Sequence, residues 1–69
     1  MNSVKCNTGN FKGMEITVGM EVVSFTGYLY KITRIETTSR KGEEIVLIMV
    51  DSDLFYDIEV FAQDFSPIL

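Results

Sequence analysis

The residues with the most chemical potential in this chain are its carboxylates, because histidine is absent and cysteine occurs once. Four acids lie close together in the sequence: Asp51, Asp53, Asp57 and Glu59. A calcium-binding EF-hand loop places its ligands at alternate positions, with a glycine at the sixth and a glutamate at the twelfth. Counted from Asp51, those two positions are Tyr56 and Ala62, so the pattern fails. We therefore expect solvated carboxylates and no metal site.

Covalent and acid–base catalysis also lack their usual residues. A nucleophile needs a base to activate it and a third group to orient that base, and histidine, the commonest base, is missing. Cys6 has no activating partner near it in the sequence, and we interpret it as an inert thiol. Gly9, Gly13 and Gly19 fit neither the dinucleotide-binding nor the phosphate-loop spacing. The sequence predicts a protein that is not an enzyme and that uses no cofactor.

Binding is the chemistry that remains, and aromatic residues are the candidates for it. Tyr28 and Tyr30 begin a predicted strand after a glycine turn, and Phe55 shares the polar face of another strand with Asp57 and Glu59. Exposed aromatic rings at the mouth of a loop can anchor a protein partner. We predict that these five residues form a protein-binding surface. The alternative is that the rings complete the core and the acids only keep the surface soluble.

A second candidate surface is basic. It consists of the four basic residues between positions 31 and 41: Lys31, Arg34, Arg40 and Lys41. Such residues can contact the phosphate groups of a nucleic acid, including those of a ribosome. From Gly42 onward, however, every charged residue is acidic, which opposes the approach of a nucleic acid. Nucleic-acid binding is therefore the alternative prediction and not the favoured one.

Composition limits the class of protein. A chain of 69 residues with a net charge of -4 is sufficient for one domain, and 46% apolar residues support a packed core. One cysteine cannot form an internal disulfide, and the N-terminus lacks the apolar stretch of a secretory signal. No apolar run approaches the roughly 18 residues of a membrane helix. We expect a cytoplasmic protein without membrane association.

Short β-strands must position these side chains, and the apolar run 45–50 organises them. This run lies between turn-forming residues and predicts a strand buried on both faces. Residues 28–37 predict a long strand with a β-bulge near Thr33-Arg34, and residues 54–60 alternate cleanly as a further strand. Residues 61–65 predict one 3-10 turn before a last edge strand, Pro67-Ile68-Leu69.

The predicted domain spans residues 14–69, and residues 1–13 precede it as a polar N-terminal arm. The arm is expected to be mobile, with an edge strand near Ser3–Asn7 and a packed Phe11 as the alternative. Alternation within the strands selects the residues that face inward. The predicted core is Val22, Phe25, Ile32, Ile35, Val46, Ile48, Val50, Tyr56, Ile58, Val60, Phe65 and Ile68.

Three stretches of the sequence resemble small SH3-like barrels of bacterial and phage proteins and, more distantly, KOW-type ribosomal and transcription-factor barrels. They are Val18-Gly19-Met20-Glu21-Val22, Tyr30-Lys31-Ile32-Thr33-Arg34-Ile35 and the C-terminal Val60…Asp64-Phe65-Ser66-Pro67-Ile68. The resemblance covers residues 16–69 and implies a binding module for proteins, peptides or RNA, without catalysis. The basic, glycine-rich opening loop of the KOW barrels is replaced by Thr17-Val18-Gly19-Met20-Glu21, which disfavours RNA.

Together these observations predict an all-β fold, a five-stranded SH3-like barrel with one 3-10 turn before its last strand. The predicted function is a non-catalytic protein-binding module, a small accessory or inhibitory protein of bacterial or phage origin. It would contact another protein through its acidic and aromatic face. Besides nucleic-acid binding, a further alternative is a structural subunit whose open sheet edge completes a homo-oligomer.

Overall fold

A computed structural model describes residues 1–68 and shows a chain built mainly of antiparallel β-strands. The strands are β1 (Ser3–Lys5), β2 (Glu15–Thr17), β3 (Glu21–Ser24), β4 (Leu29–Arg40), β5 (Glu43–Val50), β6 (Phe55–Asp57) and β7 (Phe65–Pro67). A 3-10 helix covers Gly9–Phe11, and an α-helix, α1, covers Ile58–Asp64. No helix in this described part combines the length and the apolar character needed to cross a membrane.

The strands form two sheets. β1 and β2 make a two-stranded sheet, and the other strands make a five-stranded sheet in the order β6-β5-β4-β3-β7. Three hairpins lead the chain outward from β3 to β6, and α1 then returns it to the opposite edge, where β7 pairs with β3. Within residues 1–68 no strand pairing joins β6 to β7, so the sheet does not close into a barrel. The all-β class is confirmed at this coarser level.

The hairpin of β4 and β5 is the longest element of the fold. Its turn consists of Lys41 and Gly42, both with positive φ (52° and 80°), which is the type I′ geometry that matches the twist of two paired strands. The pairing register shifts between Ile32 and Arg34, so the predicted β-bulge is confirmed. The bulge brings Ile35 onto the same buried face as Ile32, because the extra residue reverses the alternation of the strand.

One face of β5 enters the core and the other faces outward. Ile48 and Val50 are buried, whereas Ile45, Leu47 and Met49 on the outward face are only half-buried. The prediction of a strand buried on both faces is therefore wrong for the outward face. An apolar run can therefore occur in a strand that has only one fully buried face.

The core lies inside the curve of the five-stranded sheet and extends to the N-terminal segment. The buried residues are Cys6, Phe11, Ile16, Val22, Ile32, Ile35, Ile48, Val50, Phe61, Ala62 and Phe65. The predicted burial is confirmed for Val22, Ile32, Ile35, Ile48, Val50 and Phe65. Val46, Tyr56 and Ile58 are partly buried and pack against this core. The predicted core residues Phe25, Val60 and Ile68 are instead exposed, at 80%, 46% and 47%.

Residues 54–60 were predicted as one alternating strand, but the strand ends at Asp57. The Asp57 carboxylate accepts a hydrogen bond from the Glu59 backbone N–H at 2.9 Å and so caps the first turn of α1. Helical spacing then buries Phe61 and turns Val60 to solvent. The predicted 3-10 turn before the last strand is accordingly wrong, because α1 is an α-helix of seven residues.

The last strand and the N-terminal segment also differ from the prediction. β7 covers Phe65–Pro67, two residues earlier than the predicted edge strand, and the predicted strand position of Leu69 lies outside the described residues. Residues 1–13 are not a mobile arm. β1 pairs with β2, and Cys6 and Phe11 are buried, so the alternative of an edge strand with a packed Phe11 describes this segment.

The N-terminal segment is attached to the C-terminal one at two adjacent points. The Asn10 side-chain amide donates to the Phe65 carbonyl oxygen at 3.0 Å, and the Phe11 and Phe61 rings lie with centroids 5.1 Å apart. Gly9 has a φ of +64°, and a Cβ added there would lie 2.5 Å from the carbonyl oxygen of Ala62. The segment therefore packs backbone to backbone on α1, an approach that requires glycine.

Replacement of Gly9 by alanine tests this packing. We expect Gly9→Ala to lower the free energy of unfolding by about 2–4 kcal/mol, because the methyl group meets α1 and the positive φ is strained. Gly13→Ala is the matched control, since Gly13 also has positive φ (+82°) but has open space around its Cβ position. Gly13→Ala should lower the free energy of unfolding by about 1 kcal/mol. Urea denaturation followed by circular dichroism measures both, and equal losses would show that Gly9 does not pack tightly.

Candidate functional site

The structure separates the five residues predicted to bind a protein. Tyr30 lines a cavity at the edge of the five-stranded sheet, while Asp57 and Glu59 line a different cavity next to α1. Tyr28 is 69% exposed in the loop between β3 and β4, and Phe55 is 45% exposed on β6. Neither of these two rings lines either cavity. Sequence reasoning thus found members of two surfaces and treated them as one.

The first cavity lies at the gap between β6 and β7, and we name it the seam groove. Its volume is about 150 Å³. It is lined by residues from the β3–β4 loop, the starts of β4 and β7, the middle of β6 and the end of α1: Ser24, Phe25, Thr26, Tyr30, Tyr56, Asp64 and Phe65. Four of these seven side chains are aromatic, so the groove is a site for apolar or flat groups.

Phe65 is the structural centre of the seam groove. Its ring meets Tyr30 edge-on at a centroid distance of 5.7 Å and Tyr56 edge-on at 5.1 Å. Behind it the ring of Phe61 stacks at 4.8 Å with an angle of 16° between the planes. Edge-to-face and stacked contacts of this kind are favourable arrangements for aromatic pairs. The two tyrosine rings are therefore positioned by β7 and α1, although they belong to β4 and β6.

The loop between β3 and β4 holds the outer wall of the groove in place. The Phe25 N–H donates to the Asp64 carbonyl oxygen at 2.8 Å, and the Ser24 N–H donates to that of Tyr28 at 2.9 Å. The hydroxyls of Ser24 and Thr26 lie 2.7 Å apart in a hydrogen bond. Phe25 nevertheless exposes 80% of its surface. Because its backbone is fixed, Phe25 has only its two side-chain torsions to order when the ring contacts a partner.

The polar groups of the seam groove are four hydroxyls and one carboxylate. Asp64 is its one charged side chain, and the hydroxyls of Ser24, Thr26, Tyr30 and Tyr56 supply hydrogen bonds. Its lining contains no cysteine, histidine or lysine. In residues 1–68 as a whole, no group of three or more histidine, cysteine or acidic side chains is placed to hold a metal ion. The groove can stack, hydrogen-bond and attract a cation.

The second cavity, which we name the acidic cavity, has a volume of about 260 Å³. It lies where the chain passes from β6 into α1, beside the first half of β5. Its lining combines four carboxylates with three aliphatic side chains: Glu43, Glu44, Asp57, Glu59, Ile45, Val46 and Ile58. One oxygen of Asp57 already accepts the Glu59 N–H. No basic residue is among the lining residues, so the cavity is uniformly acidic.

The predicted basic surface is spread along the twelve-residue strand β4 and its turn. Lys31 lies opposite Glu21 across the β3–β4 pairing, and Arg40 lies opposite Glu43 across the β4–β5 pairing. The Arg34 Nε lies 2.6 Å from Glu36 Oε1 in an ion pair. Arg34 lies opposite Met49, and Lys41, in the turn, has no partner across a strand pairing. The four basic residues do not form one patch.

Several residues of the seam groove could not be chosen from the sequence. Phe25 and Tyr56 were both assigned to the core, and Asp64 attracted no interpretation. The available signal was the segment Phe25-Thr26-Gly27-Tyr28, in which two aromatic residues flank a glycine turn. Gly27 has a φ of +91°, so this turn reverses the chain sharply and leaves its aromatic neighbours at the surface.

Truncation of two phenylalanines tests the assignment of groove wall and groove centre. We expect Phe25→Ala to change the free energy of unfolding by less than about 0.5 kcal/mol, because its ring is mostly exposed. Phe65→Ala should cost about 3–5 kcal/mol, because it removes a buried ring that contacts three others. Thermal and urea denaturation measure both. A large loss of unfolding free energy for Phe25→Ala would show that Phe25 belongs to the core.

Comparison with known proteins finds no relative that bears on these surfaces. No protein-family model, no curated protein and no solved structure matches the chain. The geometry and charge of the two cavities are therefore the basis for any assignment of function.

Proposed function

We propose that this chain is a non-catalytic protein-binding module whose contact surface is the seam groove. The observation that carries the proposal is Phe25, which is 80% exposed while its backbone is hydrogen-bonded to Asp64. Aromatic residues are frequent anchors of protein interfaces, and a fixed backbone lowers the entropy lost on binding. Tyr28 extends the same loop and adds a second exposed ring.

The seam groove and the β3–β4 loop would contact different parts of the partner. A cavity of about 150 Å³ accommodates a group of the size of a benzene ring, so it takes one side chain of the partner. The Tyr30 and Tyr56 rings offer that side chain aromatic surface, and Asp64 favours a positive or hydrogen-bonding end. Phe25 and Tyr28 then cover the neighbouring part of the partner. A short extended segment with one lysine, arginine or aromatic residue fits this arrangement.

The SH3-like interpretation of the fold is part of the proposal. The order β6-β5-β4-β3-β7, with the last strand paired to the first strand of the sheet, supports it. So does the helix placed directly before the last strand. The contact of the Tyr56 and Phe65 rings across the seam supports a sheet that is curled almost into a barrel. A role as an accessory or inhibitory protein of the bacterial or phage cytoplasm belongs to the same proposal.

A nucleic-acid-binding function has less support. Arg34 is paired with Glu36, Lys31 and Arg40 face acids across their strands, and the acidic cavity lies near the hairpin tip. A surface in which basic residues are interleaved with acids attracts phosphate weakly. The homo-oligomeric alternative depends on an open sheet edge and is considered below.

Capture of a partner by immobilised protein tests the proposed function. We expect Phe25→Ala and Asp64→Asn to retain their fold and to weaken binding of the captured partner, Phe25→Ala by roughly tenfold or more. Phe55→Ala is the matched control, because it removes a partly exposed phenylalanine that lies outside the groove. It should bind like the unchanged chain. Equal capture by all four proteins would show that the groove is not the contact surface.

Titration against labelled single-stranded RNA and duplex DNA tests the alternative. We expect no binding at about 0.15 M salt, because the basic residues of β4 are balanced by acids. Salt-dependent binding that Arg40→Glu and Lys41→Glu abolish would favour the nucleic-acid function over the one proposed.

A further inference from the structure

β5 has an unpaired edge beside the acidic cavity. Its pairing with β4 runs over the whole strand, from Glu43 to Val50, but β6 pairs only with Leu47, Ile48 and Met49. Asp57 ends β6 and starts α1, so the chain leaves the sheet before it reaches the first half of β5. In the described part of the molecule no strand pairs with the outer edge of 43–46.

The backbone groups of this edge are directed toward the open side at alternate residues. The type I′ turn makes Arg40 and Glu43 the hydrogen-bonded pair that closes the hairpin. N–H and C=O groups of successive residues in an antiparallel strand point to opposite sides. Those of Glu44 and Val46 therefore point away from β4. In the β5–β6 register the Val46 carbonyl lies opposite the Ile58 N–H, so the groups left for an additional strand are both those of Glu44 and the N–H of Val46.

The acidic cavity lies directly on this edge, since its lining includes residues 43–46. Val46 and Ile58 are half-buried and form an apolar floor, while Glu43, Glu44 and Glu59 remain exposed. Arg40 lies opposite Glu43 across the β4–β5 pairing, but no basic residue lines the cavity beside Glu44, Asp57 and Glu59. An unpaired strand edge, an apolar floor and a rim of carboxylates thus occur at one place. The backbone of an extended basic peptide suits the edge, its apolar side chains suit the floor, and its basic side chains suit the carboxylates.

We propose that the open edge of β5 is a second docking surface, which binds an extended lysine- or arginine-containing segment of another protein as an added antiparallel strand. The segment would lie on the line that β6 would follow if it continued past Asp57. Its backbone would bind Glu44 and Val46, and its basic side chains would face the carboxylates. This site shares no residue with the seam groove, so it goes beyond the proposed function and does not depend on it.

The charge of the edge selects the partner. If a second copy of this chain paired through β5, Glu43 and Glu44 of both copies would lie near one another, and like charges across a strand pair are destabilising. Acidic residues on an open edge therefore prevent self-association. The same residues attract a basic strand, which removes their mutual repulsion. The site is specific for an unlike, positively charged chain.

A synthetic probe tests the proposal on the full chain. The peptide acetyl-Lys-Val-Lys-Val-Lys-Val-amide is titrated into ¹⁵N-labelled protein at low salt, alongside the same peptide with N-methylated backbone nitrogens on both edges. We expect chemical-shift changes concentrated at residues 43–46 and 57–59, with slower hydrogen exchange at the Glu44 and Val46 amides. The N-methylated peptide, which keeps the charge but cannot complete the pairing, should bind roughly tenfold more weakly.

Charge variants complete the test. Replacement of both Glu43 and Glu44 by glutamine should weaken peptide binding about tenfold at low salt. The matched double variant Glu15→Gln with Glu21→Gln, which lies on other strands, should leave it unchanged. Equal binding of the two peptides would overturn the proposal in favour of non-specific attraction. Dimerisation of the chain through this edge in sedimentation experiments would overturn it in favour of a homo-oligomer.

The seam-groove proposal and the β5-edge proposal can be tested independently of each other. Phe25→Ala protein should bind the lysine–valine peptide as tightly as the unchanged chain, because the groove and the edge have no residue in common. Loss of peptide binding in Phe25→Ala, with shifts at Tyr30 and Tyr56, would place the peptide in the seam groove and contradict the edge site.

Discussion

The packing of Phe65 is the interaction on which the rest of this fold depends. Its backbone pairs with Ser24 in β3 and accepts the Asn10 side chain, and its ring contacts Phe61, Tyr30 and Tyr56. One residue thereby joins both edges of the large sheet, the helix and the N-terminal segment. A chain of 69 residues has little surface to bury, so a single ring with so many neighbours contributes much of its cooperativity.

In the part of the chain that the structure describes, side-chain contacts, and not strand pairing, join the two edges of the large sheet. Where β6 and β7 face each other, rings and hydroxyls replace a continuous row of backbone hydrogen bonds. A hydrogen-bonded seam would present only strand backbone, whereas this one leaves a cavity with aromatic walls. Since α1 determines how far apart the two edge strands lie, the helix that interrupts the sheet is also what forms the groove.

The sequence predicted those parts of the fold in which local pattern and tertiary packing agree. The β4–β5 hairpin, its bulge and the inward residues of β4 follow from the turn residues and from the alternation of β4 and its break near Thr33. The pattern failed at Ile58 and Val60, where β-branched residues alternate as in a strand but the Asp57 cap and the burial of Phe61 favour a helix. Of the groove, Tyr30 was found. Phe25 was not found, because the sequence shows that an apolar residue follows a strand but not whether its side chain enters the core or faces solvent.

The fold determines which of the unevenly distributed charges of the chain lie close together. The basic residues of the middle segment are dispersed along β4 and face Glu21, Glu36 or Glu43. The acids of the last segment are instead drawn together, because the hairpin and the start of α1 bring Glu43 and Glu44 next to Asp57 and Glu59. In the proposed edge site, these carboxylates would repel a second copy and attract a basic strand. The same arrangement of charge would then protect the open edge and select what can occupy it.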